Sequence, residues 1–221
     1  MIVVKDLAKR YRSHHGSELV LDGVNLEIPS RAKLAVIGRN GAGKTTLLNL
    51  LGGMDRPTRG TINRTCRVSW PLGLSGGFQG SLSGTQNAKF IARLHGVPES
   101  QLPEKLEFVR EFSELGAGIE KPVKAMSSGM RSRLAFAVSL AFDFDLYLVD
   151  ELTSVGDAAF RKKSRDAFRD LASRAGLVMV SHDESTLKNF CDSAIWVNQG
   201  QVHWFEDLDE ALARYKESIT R

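Results

Sequence analysis

The apolar residues near the start of the chain predict short β-strands followed by the first half of an α/β unit. Small apolar clusters at residues 2–4, 20–21 and 24–28 are typical of strands. Residues 34–37 are entirely apolar, which is typical of a strand buried on both faces. A glycine-rich turn follows, and then a helix is predicted over residues 45–51. Strand, loop and helix in that order begin a βαβ unit.

The remainder of the chain alternates predicted helices and strands. Residues 73–84 are rich in glycine and serine. Helices are predicted at about residues 85–95, 101–115, 128–142, 158–174 and from Asp207 onward, and strands at residues 146–149, 177–180, 194–197 and 201–204. We expect one α/β domain over residues 1–221, with a mostly parallel sheet, an N-terminal antiparallel β region and a helical subdomain inserted at about residues 75–140.

The composition of the 221-residue chain is that of a soluble globular protein, with 42% hydrophobic and 25% charged residues. A net charge of +4 is too small to select a phosphate ligand, an acidic membrane surface or nucleic acid. The two cysteines, Cys66 and Cys191, form no CxxC pair, which favours a reducing compartment. The N-terminus does not resemble a signal peptide. The longest apolar tract, residues 134–149, is interrupted by two aspartates, so no membrane span is predicted.

The most specific local pattern lies between the apolar strand and the first helix. It fits G-x-x-x-x-G-K-T, which in this context predicts a loop that binds phosphate. Small residues let successive backbone N–H groups face one anion, and the helix N-terminus adds partial positive charge. Lys44 can reach the β- and γ-phosphates, Thr45 can ligate Mg²⁺, and Thr46 is expected to add a phosphate contact. The expected nucleotide-binding residues of this loop are Gly38, Asn40, Gly41, Ala42, Gly43, Lys44, Thr45 and Thr46.

A second pattern places two carboxylates at the end of a predicted buried strand. The apolar residues 146–149 lead directly into Asp150 and Glu151. Open α/β sheets bind ligands at the carboxyl ends of their strands, so this pair is expected beside the phosphate loop. Asp150 can hold Mg²⁺, and Glu151 can orient or deprotonate an attacking water. A solvated acidic pair is the alternative interpretation.

Further motifs together resemble the ATPases of the ABC family. Residues 126–130 read Met-Ser-Ser-Gly-Met and resemble the family's L-S-G-G-Q signature. Residues 154–157 resemble the D-loop, His182 follows a predicted strand, and Tyr11 lies where the family places an aromatic residue. The elements occur in family order over nearly the whole chain. The resemblance implies a P-loop ABC ATPase core that hydrolyses ATP with Mg²⁺.

The resemblance also assigns roles to these residues. Ser127 and Gly129 would cap the γ-phosphate held by a second copy of the chain, so that ATP joins two copies head to tail. His182 would contact the same γ-phosphate as a catalytic residue together with Glu151 and Lys44. Asp157 would cross the dimer interface, and Tyr11 would stack on adenine. Each has a plainer alternative: Ser127 and Asp157 as helix caps, His182 as a loop residue and Tyr11 as ordinary packing.

The sequence departs from the family pattern in two places. Ser128 replaces the first signature glycine and Met130 replaces the glutamine, whereas Ser127 and Gly129 are retained. The glutamine of the Q-loop is displaced as well, because its nominal position falls near Leu74. Gln79 is the nearest glutamine upstream of residues 82–87, and it is nominated as a Mg²⁺ ligand with a register shift.

Residues 69–82 and 127–136 resemble one subgroup, the ATPase subunits of capsular polysaccharide exporters in Gram-negative bacteria. Related O-antigen ATPases often carry a further C-terminal domain, for which this chain has no room. The resemblance implies a homodimer on the cytoplasmic side of the inner membrane, peripheral to it, that pairs with an integral membrane permease. Residues around 70–83 would line the docking groove, with a flexible surface loop as the alternative.

Three other functions remain open at this point, the first of which is a transporter of another substrate. An ABC-fold ATPase acting on nucleic acid is disfavoured, because the chain has neither long coiled-coil inserts nor tandem ATPase domains, and no direct nucleic-acid contact is expected. The basic helix face that includes Arg161, Lys162 and Lys163 is more simply a solvated surface. A regulatory subunit that does not hydrolyse ATP is disfavoured by the presence of both Lys44 and Glu151.

Overall fold

The computed structural model describes residues 1–13, 16–72, 77–150 and 157–220. Contacts divide the chain into two compact units. The first unit comprises residues 1–71, 144–152 and 174–221, and the second comprises residues 72–143 and 153–173. The prediction of one domain with an insert at about residues 75–140 stays a prediction.

The elements of the described residues alternate strands and helices after an all-β start. The strands are β1 (Ile2–Ser13), β2 (Gly16–Ile28), β3 (Lys33–Ile37), β4 (Arg59–Arg64), β5 (Val68–Leu72), β6 (Leu146–Asp150), β7 (Gly176–Val180), β8 (Ser193–Asn198) and β9 (Gln201–Phe205). The helices are α1 (Lys44–Leu51), α2 (Gly84–Leu94), α3 (Leu102–Ser113), α4 (Ser128–Ala141), α5 (Ala158–Arg174), α6 (Glu184–Phe190) and α7 (Leu208–Thr220).

The N-terminal β region is a three-stranded antiparallel sheet in the order β2-β1-β4. The predicted antiparallel region is thus confirmed, but its strands are much longer than the short clusters predicted at residues 2–4, 20–21 and 24–28. Polar residues interrupt the apolar pattern where the pairing of β1 with β2 shifts register, beginning between Val4 and Leu7. A bulge of this kind breaks the period-2 alternation on which the sequence prediction depended. Strand β4 was not predicted at all.

The larger sheet has the order β5-β6-β7-β3-β8-β9 among the described residues. Strands β6, β7, β3 and β8 run parallel, and β9 returns antiparallel to β8. The predicted mostly parallel sheet is therefore confirmed. The central strands β6, β7 and β3 are buried almost throughout, as their continuous apolar runs require.

The core of the first unit lies between these two sheets and helix α1. Leu47, Leu48, Leu50 and Leu51 of α1 are all fully buried. They pack with β1 and β2 of the smaller sheet and with β3, β6, β7 and β8 of the larger one. Helix α1 is thus anchored from Leu47 to Leu51, and the loop that precedes it lies between this anchored helix and β3.

The second unit is built around helices α2 to α5. The ring of Phe112 on α3 lies 5.5 Å from that of Phe108, 6.1 Å from that of Phe136 on α4 and 5.9 Å from that of Phe160 on α5, all measured between ring centroids. Aromatic pairs at these distances add to the free energy of apolar burial. The helices predicted at about residues 85–95, 101–115, 128–142 and 158–174 are all present, within two residues at each end.

Across the part of the chain that is described, no helix combines the length and the apolar character that crossing a bilayer requires.

Gly176 offers a test of how tightly β7 packs into the first unit. A Cβ added there would lie 2.1 Å from the carbonyl oxygen of Ser30 and 2.7 Å from Cδ1 of Leu146. Since backbone must move to admit a methyl group, Gly176→Ala should lower the free energy of unfolding by about 2–3 kcal/mol. At about 2–4 °C per kcal/mol, the Tm should fall by about 5–10 °C, as measured by circular dichroism.

Gly80→Ala is the matched control, because an added Cβ there meets only Cβ of Lys124 at 3.5 Å, an ordinary contact. Its Tm should change by no more than about 2 °C. Equal Tm values for the two variants would contradict the packing described for β7.

Candidate functional site

Three neighbouring strands of the larger sheet deliver candidate site residues to one edge. In the order β6-β7-β3, the pairing is parallel and aligns Val149 with Met179 and Met179 with Ala35. The residues after β3 form the glycine-rich loop, Asp150 ends β6, and His182 follows β7. Because the carboxyl ends of parallel strands share an edge, residues far apart in sequence meet there.

A cleft with a volume of about 560 Å³ opens at this edge of the first unit. That is a size typical of small-molecule sites. Nine of the sequence-predicted residues line it, namely Tyr11, Asn40, Gly41, Gly43, Lys44, Thr45, Thr46, Asp150 and His182. The structure thus brings together the phosphate loop, the carboxylate at the end of β6, the histidine and the aromatic residue.

The glycine-rich loop adopts a conformation that favours glycine at three positions, and at Gly41 it is the backbone angle, φ +78°, that does so. Gly43 has φ +103°, and an added Cβ would lie 2.8 Å from Cγ1 of Val20. Gly38 has φ +148°, and an added Cβ would lie 2.4 Å from the carbonyl oxygen of Val197. Within the loop, the Ala42 N–H donates to the Arg39 carbonyl at 3.1 Å. The tight turn brings the backbone directly to the start of α1, where helix N–H groups and the helix dipole favour an anion.

Lys44, the first residue of α1, folds its side chain back over the loop. Its ammonium donates to the carbonyl oxygens of Gly38 at 2.8 Å and Arg39 at 3.0 Å. These contacts hold the charge at the mouth of the loop. An anion bound there would meet both the ammonium and the helix N-terminus.

Tyr11 lines the cleft from the end of β1 and remains 42% exposed. Its hydroxyl donates to Oδ2 of Asp55 at 2.8 Å. Burial of the hydroxyl is the largest cause that raises the pKa of Tyr11, and the hydrogen bond to Asp55 raises that pKa further, whereas a hydrogen bond with the Thr46 side chain acts to lower it. The phenol therefore stays protonated at neutral pH and remains a donor to Asp55.

His182 is held by the turn between β7 and α6. The next residue, Asp183, caps α6 by accepting from the backbone N–H groups of Ser185 at 3.1 Å and Thr186 at 3.2 Å. Hydrogen bonds from the Thr186 and Ser185 hydroxyls are the main causes that lower the pKa of Asp183. The Asp183 N–H in turn donates to the Ser181 hydroxyl at 3.1 Å. Both neighbours of His182 are thus fixed.

The cleft is also lined by three residues that sequence reasoning missed, Glu18, Val20 and Val180. Glu18 pairs with Tyr11 across β1 and β2, and the side chain of Val20 lies close to Gly43. The register of a hairpin with a bulge decides which residue stands opposite Tyr11, and no local pattern reports it. Val180 could have been found, because it is the last apolar residue before Ser181 and His182.

Two oxygen donors of the cleft suit a divalent cation. The Thr45 hydroxyl and the Asp150 carboxylate both line it. Mg²⁺ is usually held by one or two protein carboxylates and completes its shell with water and substrate phosphates. The described residues of the cleft therefore fit Mg²⁺ bound together with a phosphate ligand.

The second unit contains the residues of the expected signature motif. Ser127 is the N-cap of α4, and its hydroxyl accepts from the backbone N–H of Met130 at 3.2 Å. Gly129 lies in the first turn, which carries no acidic residue. Helix capping by Ser127, the plainer alternative, is present, and the start of this helix is also suited to an anion.

Asp157 also lies in the second unit. Its carboxylate accepts from the backbone N–H of Phe160 at 2.9 Å and from Arg133 of α4 at 2.9 Å. The hydrogen bond from Phe160 is the largest cause that lowers its pKa. Asp157 is thus a helix cap that is tied to the helix of the signature motif. Its role at a dimer interface stays a prediction.

Gln79, the nominated Mg²⁺ ligand, lies in a loop of the second unit that Asn87 holds. The fully buried Asn87 side chain accepts from the Gln79 N–H at 2.7 Å and donates to the Gln79 carbonyl at 3.1 Å. This fixes the Gln79 backbone, and its metal-binding role stays a prediction. Glu151 and the Leu74 position lie outside the described residues, as do the first three residues of the expected D-loop.

A family model described as "ABC transporter" matches residues 21–154 of this chain. The chain is also similar to three curated proteins over nearly its whole length. It is 49% identical to the polysialic acid transport ATP-binding protein KpsT of Escherichia coli, over 99% of this chain and 100% of that protein. It is 44% identical to the ATP-binding protein BexA of Haemophilus influenzae, over 99% of each. It is 43% identical to the capsule polysaccharide export ATP-binding protein CtrD of Neisseria meningitidis serogroup B, over 97% of this chain and 98% of that protein.

The fold is similar to that of a solved ATP-binding cassette in a dimeric, post-hydrolysis state bound to ADP and Pi. The TM-score is 0.75 at 21% identity, and the match spans 94% of this chain and 99% of that chain. At this identity the similarity concerns the fold alone.

Lys44 provides the most direct test of the cleft as a phosphate site. Lys44→Met removes a charged donor whose hydrogen bonds to phosphate contribute about 1.5–3 kcal/mol. We therefore expect the Kd for ATP, measured by calorimetric titration, to rise about 10- to 100-fold. Lys216→Met, which removes the same charge from an exposed pair with Glu184, is the matched control and should leave the Kd unchanged. An unaltered Kd in Lys44→Met would exclude the loop as the phosphate site.

Proposed function

Since this chain belongs to the ABC transporter family, we propose that it is the ATP-hydrolysing subunit of a transporter that exports a capsular polysaccharide. One observation carries the ATPase part of the proposal. The phosphate loop with Lys44, the carboxylate Asp150 and His182 line one cleft with the aromatic residue Tyr11. The polysaccharide part is supported by similarity over nearly the full length to transport proteins of that kind.

In this proposal one end of the cleft binds the adenine base of ATP and the other end binds its phosphates. Tyr11 stacks on the adenine base, and Lys44 with the N-terminus of α1 binds the β- and γ-phosphates. Thr45 and Asp150 would hold Mg²⁺, which when bound neutralises charge on the phosphates. Thr46 adds a further phosphate contact at the first turn of α1.

The hydrolytic step requires a base and a group that orients the γ-phosphate. Glu151 follows Asp150 directly in sequence, and it accepts a proton from the attacking water. The water oxygen bonds to the γ-phosphorus as the bond from that phosphorus to the leaving oxygen of ADP breaks. His182 contacts the γ-phosphate and keeps it in line with the water.

The proposed assembly is a dimer of two copies with ATP between them. The N-terminus of α4, with Ser127 and Gly129, supplies a second anion site that would cap the γ-phosphate held by the partner copy. Asp157 would lie near that junction. ATP binding closes the dimer, hydrolysis reopens it, and the motion is passed to an integral membrane permease on the cytoplasmic side of the inner membrane.

The dimer is tested with Glu151→Gln, which keeps the shape of the side chain and removes the base. In gel filtration with saturating ATP and Mg²⁺, this variant should elute as a dimer, and its hydrolysis rate should fall by at least about 10²-fold. The double variant Lys44→Met with Glu151→Gln is the control, and it should stay a monomer because it binds ATP poorly. A monomeric Glu151→Gln protein with ATP bound would contradict the shared site.

The transported substrate is tested in the native host. With Glu151→Gln on the chromosome, we expect polysaccharide to disappear from the cell surface and to accumulate inside, as measured by fractionation and immunoassay. Synthesis continues while its ATP-driven export stops. If surface polysaccharide is unchanged although the purified variant no longer hydrolyses ATP, the proposed substrate is wrong and the proposed ATPase activity is still supported.

A further inference from the structure

A buried lysine lies behind the aromatic residue of the cleft. Lys9, on β1, is 8% exposed, and its ammonium donates to Oδ1 of Asp55 at 2.7 Å and to the Arg56 carbonyl at 2.9 Å. The same ammonium lies 4.7 Å from the centroid of the Tyr11 ring. A charge this deep needs such partners, since removing an ammonium from water is costly. Its partners converge on Tyr11 and on the loop that follows α1.

Asp55 joins the lysine to the tyrosine. While Oδ1 accepts from Lys9 and from the Arg56 N–H at 2.7 Å, Oδ2 accepts from the Tyr11 hydroxyl at 2.8 Å. Burial acts to raise the pKa of the Asp55 carboxyl, but the hydrogen bonds from Lys9, Tyr11 and Arg56 outweigh it, so the pKa lies below its usual value. A charged carboxylate therefore holds the phenol hydroxyl at neutral pH.

This ion pair differs from other described pairs of the first unit. The side chains of Lys9 and Asp55 are 11% and 28% exposed. Those of Lys188 and Asp209 are 51% and 73% exposed, and those of Lys216 and Glu184 are 58% and 45% exposed. Exposed pairs contribute little to stability and tolerate loss of a partner, whereas a partly buried, hydrogen-bonded pair imposes geometry on its neighbours. Here one of those neighbours is Tyr11, which lines the cleft.

We propose that Lys9 and Asp55 are positioning residues for the nucleotide base, which act by holding the Tyr11 ring in one orientation at the cleft. The inference depends on the proposed function, in which Tyr11 stacks on adenine. The Tyr11 hydroxyl is a tether to the protein. Lys9 covers one side of the ring, so a planar base can stack only on the side that Lys9 leaves open.

The tether explains why a tyrosine is suited to this position. A partly exposed ring near the end of a strand can rotate about its side-chain torsions, and stacking requires that this freedom be lost on binding. Anchoring the hydroxyl before the nucleotide arrives lowers that entropic cost. At the phosphate end Lys44 is held by its own loop and not by the tether, although the Tyr11 hydroxyl also forms a hydrogen bond with the Thr46 side chain.

The test separates base binding from phosphate binding. The Kd values of ATP and of inorganic tripolyphosphate, which has no base, are measured calorimetrically for the full chain and for Asp55→Ala and Lys9→Met. Each variant should bind ATP about three- to tenfold more weakly, as loss of one charge-assisted tether implies, and should bind tripolyphosphate as the unaltered protein does. In hydrolysis, KM for ATP should rise while kcat stays within about twofold.

Asp209→Ala is the matched control, because it removes the carboxylate partner of Lys188 and does not touch the cleft lining. It should change neither Kd. A double-mutant cycle with Tyr11→Phe then tests whether Asp55 acts through the Tyr11 hydroxyl, since Phe keeps the ring and lacks the hydroxyl. If Asp55 acts through that hydroxyl, Tyr11→Phe with Asp55→Ala should weaken ATP binding no more than the larger single change.

The outcomes distinguish this inference from the proposed function. Each of three results would overturn the positioning role. The effects in the double-mutant cycle could be additive, the variants could lose ATP and tripolyphosphate binding equally, or Asp55→Ala and Lys9→Met could bind ATP as the unaltered protein does. If the unaltered protein binds tripolyphosphate and ATP with equal affinity, the base contributes nothing, and the proposed stacking on Tyr11 fails with it. If it binds neither, the ATPase proposal itself fails.

Discussion

Parallel pairing of β6, β7 and β3 is the constraint on which the cleft of the first unit depends. The three strands are buried on both faces, and their register aligns their carboxyl ends. A shift of one residue in any of them would exchange the side chains between its two buried faces, so close packing on both faces, and not burial alone, holds the register. The phosphate loop, Asp150 and His182 meet because the strands before them pair in parallel with their carboxyl ends aligned.

The starts of four helices add a second layer of order, and they fall into two classes. Helices α5 and α6 begin at Asp157 and Asp183, whose carboxylates accept from the helices' own N–H groups. Helix α1 begins after Gly43 and α4 after Ser127, without acidic residues in the first turn. A carboxylate cap satisfies the positive end of a helix internally, whereas an uncharged cap leaves it suited to an external anion. The two helices proposed to bind phosphate are both of the second class, to which α2 with its Ser83 cap also belongs.

The sequence alone predicts much of this arrangement, because the decisive patterns are local. The apolar runs of β3, β6 and β7, the spacing of Gly38, Gly43 and Lys44, and the cap at Ser127 each lie within a few adjacent residues. The strands β1 and β2 were predicted too short, since polar positions at register shifts hide their continuity. The residues of the second unit carry local motifs as well. Their contacts in a dimer would join two copies of the chain, and no local pattern predicts such contacts.

The two ends of the cleft differ in how the sequence encodes them. The phosphate end consists of one loop and the start of the helix that follows it directly, so the sequence pattern predicts it without a structure. The proposed base end depends on the contact of Lys9 and Tyr11 with Asp55, 46 and 44 positions away in the chain. Such a contact exists only after β1 has docked beside the loop that follows α1. That loop also follows helix α1, which begins at Lys44. It therefore connects the N-terminal antiparallel sheet to the phosphate loop, and the orientation of Tyr11 depends on the folding of the whole unit.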